Sequence, residues 1–282
     1  MVSTQSAVKA PDLNDCLITA FNAARIASSR LLDAYMDQLK GHWEGPPGDP
    51  GGPMRDSERE IRRLLYEAFP DHQIYVGEGP ERGKAPELFW MVDPLDGAWS
   101  FGRGSAFFAV SLSLIGKGPA GAHEPLLGVI MAPVLMEMFW SVAGEGAFQC
   151  RQVPGIGLSE GPVSVSDTGR PEEAYVRTAL PGPGSGGGGK LAARRLQDSA
   201  RAVAAEESVS LSLAYVAAGR ADGFYLHDCG LWAPAAGAML VSEAGGKVTG
   251  LSGDDYRPED GGGLLASNGI LHWKFLESVS EG

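Results

Sequence analysis

The sequence predicts an α+β protein of layered helices and sheets, and three observations predict it. Apolar residues at helical spacing open the chain. Strand-like apolar runs separated by Gly and Pro fill its middle, and short strands alternate with helices after about residue 170. Leu17, Phe21, Ala24, Leu31, Tyr35 and Leu39 predict a long amphipathic helix over about 13–39. The tract Gly45–Pro53 is too rich in Gly and Pro for regular structure, so that helix must end before it. A second helix is expected from about Ser57 to Phe69, with Ile61, Leu64, Leu65 and Ala68 on one face. Gln73–Val76 reads as a strand. The β-prone run from Leu88 enters Asp93-Pro94-Leu95-Asp96-Gly97, where Pro94 is expected to stop the strand and Gly97 to permit a tight turn. Phe107–Ile115, Leu126–Met131 and Glu137–Val142 predict an antiparallel meander. Beyond it come a strand at Tyr175–Thr178, helices at Lys190–Val203 and Ser208–Ala218, a strand at Gly223–Leu226 and a helix at Trp232–Ala244. These patterns divide the chain into two subdomains, 1–170 and 171–282.

A chain of 282 residues buries a full core. Its formal net charge of −12 argues against a nucleic-acid surface, and gives a phosphate ester no long-range attraction unless bound cations reverse the local field. No apolar run is long enough to span a membrane, and the N-terminus lacks the basic-then-apolar layout of a signal peptide. Cys16, Cys150 and Cys229 are odd in number, widely spaced and free of any CxxC pattern. They predict reduced thiols and a cytoplasmic location.

The stretch from Val76 to Gly97 carries the chemistry. Two carboxylates three residues apart, Asp93 and Asp96, fall where a buried strand breaks, with Glu78 upstream. Hard cations such as Mg²⁺ prefer oxygen ligands, and carboxylates with a carbonyl between them suit one. A plain surface turn rich in Asp and Gly is the simpler alternative. The glycine-rich segment Pro181–Lys190 has phosphate-loop spacing over 184–190, but Leu191 stands where a metal-binding Ser or Thr is required, so it reads as a flexible flap.

Several motifs, in order, resemble the inositol monophosphatase family. They are Glu78, Trp90-Met-Val-Asp-Pro-Leu-Asp-Gly97, Gly128–Trp140 with Gly144–Phe148, Leu211–Tyr225, Leu231-Trp-Ala-Pro-Ala-Ala-Gly237 and Ser242-Glu-Ala-Gly-Gly246. The resemblance implies an αβαβα sandwich with a Mg²⁺ site at the seam, and a homodimer, although the apolar stretch Met131–Trp140 serves equally as internal core. It also implies metal ligation by Glu78, Asp93, the Leu95 carbonyl and Asp96, and a phosphate cradle at the backbone of Gly97 and Ala98. The reaction would be metal-assisted hydrolysis of a small phosphate monoester.

Departures from the family pattern fall on its functional positions. Ala98 replaces a water-positioning threonine, and Ala233 replaces a metal-binding aspartate. Leu226 stands where inositol-hydrolysing members often carry a hydroxyl-binding glutamate. Met54 or Arg55 occupies the place of an early aspartate, unless a small gap brings in Asp56. His227 and Asp228, in the expected loop before Ala233, are candidate substitutes; Cys229 has no legible basic partner and reads as an inert thiol. Two readings stand: a hydrolase of sugar, polyol or nucleotide-type phosphates with a rearranged site, or a catalytically silent member that binds metal, anion or a partner.

Overall fold

A computed structural model describes residues 12–41, 50–81, 83–118, 121–179, 188–230 and 232–280. The helices among them are α1 (Leu13–Leu39), α2 (Gly51–Ala68), α3 (Ala98–Gly102), α4 (Gly188–Ser199), α5 (Val209–Ala217), α6 (Ala235–Glu243) and α7 (His272–Ser280). A first sheet runs in sequence order through β1 (Gln73–Val76), β2 (Leu88–Asp96), β3 (Ala109–Lys117), β4 (His123–Ala132), β5 (Glu137–Val142), β6 (Gly146–Val153) and β7 (Gly157–Pro162). β1 and β2 are parallel and every later neighbour is antiparallel. The second sheet has the order β11 (Lys247–Gly250), β12 (Gly262–Ser267), β10 (Gly223–Cys229), β8 (Tyr175–Ala179), β9 (Ala202–Ala205).

Side-chain alternation builds the layers. Trp90 and Val92 of β2, Leu112 and Leu114 of β3 and Leu127 and Val129 of β4 face α1 and α2, which supply Ala20, Ala24, Leu31, Ile61 and Leu65. The opposite face meets α5 and α6, through Ile130 and Phe139 against Leu213, Ala236 and Leu240. The same two helices cover Phe224, Leu226, Leu264 and Ala266 of the second sheet. The outer face of that sheet carries α4 and α7, with Val176, Tyr225 and Leu265 packed on Leu196 and Phe275. The result is the αβαβα sandwich. Both faces of β2 are covered, which is why its sequence is an unbroken apolar run rather than an alternating one.

Close approach of α6 to the first sheet and to α5 explains its Ala-Ala-Gly. A Cβ added to Gly128 of β4 would stand 3.0 Å from the Ala236 Cα, and one added to Gly237 would stand 2.6 Å from the Leu213 side chain. The apolar stretch Met131–Trp140 is largely internal: Phe139 is buried on the α5/α6 side, Trp140 lies on the α1 side, and Met136 is exposed.

Several boundaries differ from expectation. α2 begins at Gly51, six residues early, because Pro53 sits in the first turn, where a helix needs no N–H from it. β2 is not stopped by Pro94 but continues to Asp96 through a register shift between Asp93 and Asp96, an irregularity that accommodates the missing donor. The helix expected at Lys190–Val203 ends at Ser199, and Ala202–Ala205 pairs as an edge strand instead. His227 and Asp228 lie within β10 rather than in a loop. Strands β6, β7, β11 and β12 and helix α7 were not signalled. Of the glycine-rich flap, residues 181–187 lie outside the described residues, while Gly188–Lys190 opens α4.

Gly128→Ala is expected to destabilise the protein by about 1–3 kcal/mol, since a methyl there presses on the α6 backbone. Thermal or denaturant unfolding checks this; an unchanged midpoint would remove the close-approach argument.

Candidate active site

β1 and β2 are the parallel pair of the first sheet, and open parallel sheets place ligands beyond the carboxyl ends of such strands. Glu78 follows the end of β1, held by Gly77 N donating to the Val92 carbonyl at 3.0 Å. Its carboxylate is exposed and, among the described residues, takes no hydrogen bond or ion pair. Beneath this loop lies Trp232, fully buried in edge contact with Phe89 and His123, its Nε1 donating to the Pro80 carbonyl at 3.0 Å. Trp232 is held at φ 72, a left-handed conformation imposed by its packing, and Gly79 has no Cβ because the indole fills that space. The C-terminal motif thus positions the Glu78 loop from below.

Asp93 and Asp96 come together at the end of β2. Asp93 Oδ1 accepts from Leu95 N at 3.0 Å, folding the turn back on itself, and its other oxygen has no partner among the described residues. Burial, then the neighbouring Asp96, push the Asp93 carboxyl up to about 7; Glu207 adds to the effect. Asp96 is different. Its Oδ2 accepts from the Ser208 hydroxyl at 2.7 Å, from Ser210 N at 2.7 Å and from the Ser210 hydroxyl, while Oδ1 accepts from Val209 N at 3.1 Å. Burial raises Asp96 as well, and the Ser210 and Ser208 donors partly offset it. Its carboxylate is therefore committed to the N-terminus of α5.

Two amides of the turn after Gly97, those of Trp99 and Ser100, are also occupied. Glu207, just ahead of α5, reaches Trp99 N and Ser100 N through its two carboxylate oxygens, at 3.0 and 2.6 Å. Sequence reasoning missed Glu207, because nothing in Glu206-Glu207-Ser208 separates it from an ordinary acidic helix start. Gly97 itself sits at φ 91, with the Phe107 carbonyl 2.9 Å from where a Cβ would lie.

The proposed substitutes stand elsewhere. Asp56 pairs with Arg59 at 2.9 Å on α2, while its neighbour Ser57 donates to the Pro94 carbonyl at 2.8 Å and ties α2 to the aspartate turn. His227 packs against Gly188 and Gly189 of α4 and meets the Tyr225 hydroxyl at 3.0 Å, on the outer face of its sheet. Asp228 is exposed. Burial pushes the Cys229 thiol up to about 12, and it donates to the Gly262 carbonyl, so no thiolate forms at neutral pH. Among the described residues, no three His, Cys, Asp or Glu side chains converge to hold a metal ion. Asp93 and Glu78 carry carboxylate oxygens that are uncommitted among the described residues, and these with the Leu95 carbonyl are donors of the kind a hard cation takes, whereas Asp96 is filled by four donors and Ala233 offers none.

Two aspartates so placed separate in their roles. Removing Asp96 strands its partners, so Asp96→Ala is expected to cost about 3 kcal/mol or more in unfolding experiments. Asp93 acts in the opposite sense. Its carboxyl lies above the ordinary range when folded, so the folded state holds more protons than the unfolded one between about pH 4 and 7, and stability falls as pH rises through that window. Asp93→Asn should flatten this slope in metal-free melts. A slope that persists in the variant would assign it to another group.

The model of the inositol monophosphatase family matches residues 12–282. An inositol-1-monophosphatase of Caulobacter vibrioides is 32% identical over 227 residues, covering 79% of this chain and 84% of that protein. A protein of Neisseria meningitidis serogroup B described as a putative Nus factor SuhB is also 32% identical, over 273 residues, covering 95% and 99%. Among solved structures, the extragenic suppressor protein suhB of Bartonella henselae superposes with TM-score 0.79 at 28% identity, covering 95% of this chain and 99% of that one. The IMPase of Thermotoga maritima superposes with TM-score 0.78 at 27% identity, covering 94% and 96%. The αβαβα layers, the order of the motifs and these matches agree: the chain belongs to the inositol monophosphatase family.

Proposed function

We propose that this protein is a Mg²⁺-dependent phosphate-monoester hydrolase with a rearranged, single-cation site, acting on a sugar, polyol or nucleotide-type phosphate. The observation that carries the reading is the pairing of half-buried Asp93 with buried Asp96 at the end of β2, with one Asp93 oxygen uncommitted among the described residues and Glu78 on the adjoining loop. Buried like charges side by side are costly, and a divalent cation relieves that cost. When bound, Mg²⁺ supplies Lewis-acid polarisation of the phosphoryl oxygens and of water.

The chain's own groups set the rest. Asp93 and the Leu95 carbonyl hold the cation side, and the backbone of Gly97 and Ala98 offers donors to the anion. Water orientation falls to Glu78, because Ala98 carries no hydroxyl. Loss of one well-placed catalytic group costs on the order of 10²–10³ in rate, so turnover is expected to be slow. Leu226 is buried in the core between the sheets and offers no acceptor to a polyol hydroxyl, which argues against inositol phosphate as the substrate.

A second reading, a member that binds without hydrolysing, is favoured by the commitment of Asp96 to α5. It is also supported by relatives whose names are those of a Nus factor rather than of an enzyme. Under it the net charge does not decide the partner, since the family includes proteins named for either role.

Phosphate release from a panel of sugar, polyol, inositol and nucleotide monophosphates, with and without Mg²⁺, separates the two. Metal-dependent release, abolished by Asp93→Asn, is expected. Silence across the panel while Mg²⁺ still binds by calorimetry would establish the second reading.

A further inference from the structure

We propose that Met131, Met136, Met138 and Cys150 form a binding site for a soft monovalent cation, Cu(I), beneath α1. The strand register assembles it. Met131 of β4 lies opposite Met138 of β5, and Met138 lies opposite Cys150 of β6. Two thioethers and a thiol therefore stand in one row across three strands, on the face turned to α1. Residues directly opposite each other on paired strands have their Cβ atoms about 5 Å apart, within the reach of Met side chains. Met136, in the turn between β4 and β5, is half exposed and stands at the solvent side of the row. All four residues line one cavity of about 580 Å³.

Packing alone does not account for this group. Methionine is a common filler of irregular cores, but here the sulfur-bearing side chains border a void instead of filling one. Three of the chain's eight methionines and one of its three cysteines meet there. The α1 wall adds an independent observation. Ser28 lines the cavity, is 2% exposed, and its hydroxyl has no hydrogen-bond partner among the described residues. A buried hydroxyl is costly to leave unpaired, so a polar or charged occupant is expected in the cavity. Arg25, the charged residue of that wall, is exposed, which leaves its charge in water. Thiol and thioether sulfur are soft ligands that select Cu(I), whereas zinc takes Cys, His and carboxylates. Burial, then Glu160 of β7, push the Cys150 thiol up, so it keeps its proton until a cation displaces it. Binding forms the sulfur–copper bond at Cys150 and releases that proton to solvent. The thioethers donate lone pairs, and copper stays Cu(I) throughout.

Cu(I), added without oxygen and against a competing Cu(I) chelator, tests this in wild type, Met138→Leu and Cys150→Ser. Expected is one Cu(I) held per chain. Its affinity should fall by about tenfold or more in Met138→Leu and by about a hundredfold or more in Cys150→Ser. Leu conserves the apolar volume of Met, so the first variant keeps the fold. X-ray absorption at the copper edge of the wild-type complex needs no variant, and is expected to show sulfur neighbours. No Cu(I) retained against the chelator overturns the proposal. Unchanged affinity in Met138→Leu does so as well, because a lone thiol would then suffice, and so do nitrogen or oxygen neighbours in place of sulfur. Zn²⁺ is expected to bind wild type and Met138→Leu alike, or neither. Zn²⁺ binding that is lost in Met138→Leu overturns the assignment to a soft cation.

Discussion

A single buried carboxylate, Asp96, joins the first sheet to the helical layer between the sheets. It lies at the last position of β2 and takes two hydroxyls and two amides from the start of α5, so one residue fixes where that helix begins and how it meets the strand end. Asp93, the Gly97 turn and the Glu207 contact all take their places from this anchor. An Asp in such a position has two possible employments, a cation or the helix start. Ser at both 208 and 210 fills Asp96 from the helix side, since two hydroxyls add donors that backbone amides alone would not supply.

The same use of acidic side chains recurs through the molecule. Glu243, at the end of α6, accepts from Gly144 N and Gly146 N at 2.9 Å and fixes the β5–β6 turn. Asp222 accepts from Tyr175 N at 2.6 Å and from the Ser166 hydroxyl at 2.5 Å, fastening the approach to the second sheet. Glu207 does this for the turn after Gly97. In each case a carboxylate bridges segments far apart in sequence through backbone N–H groups, a class of hydrogen bond stronger than the neutral kind. Part of the chain's strongly negative charge is therefore internal scaffolding, which is why charge alone is a poor guide to what the surface binds.

Periodic signals were legible and contextual ones were not. The apolar spacing over 13–39 and the runs at 73–76 and 137–142 match α1, β1 and β5, because burial on one or two faces writes itself into side-chain periodicity. Strands β6 and β7 are half exposed and mixed in composition, so they carried little pattern. The first turns of α2 were hidden by Gly and Pro, which the first turn of a helix tolerates. The aspartate turn was legible as a motif, yet its local chemistry was not: whether Asp96 faces a cation or a helix depends on Ser208 and Ser210, over a hundred positions away. Glu207 was invisible for the same reason. Local propensity says helix start; only the fold shows that its carboxylate crosses to another turn.

The departures from the family pattern and the one unexpected acid belong to a single electrostatic pattern. Family resemblance places five carboxylates at the site: the equivalents of Glu78, Asp93 and Asp96, an aspartate at position 233 and an early one where Met54 or Arg55 stands. Ala233 and the early position remove two, and Glu207 beside Asp93 adds one. The acid that is added takes backbone amides of Trp99 and Ser100, so it serves the fold in the way Glu243 and Asp222 do, and the charge left facing the turn is smaller than the family pattern alone would give.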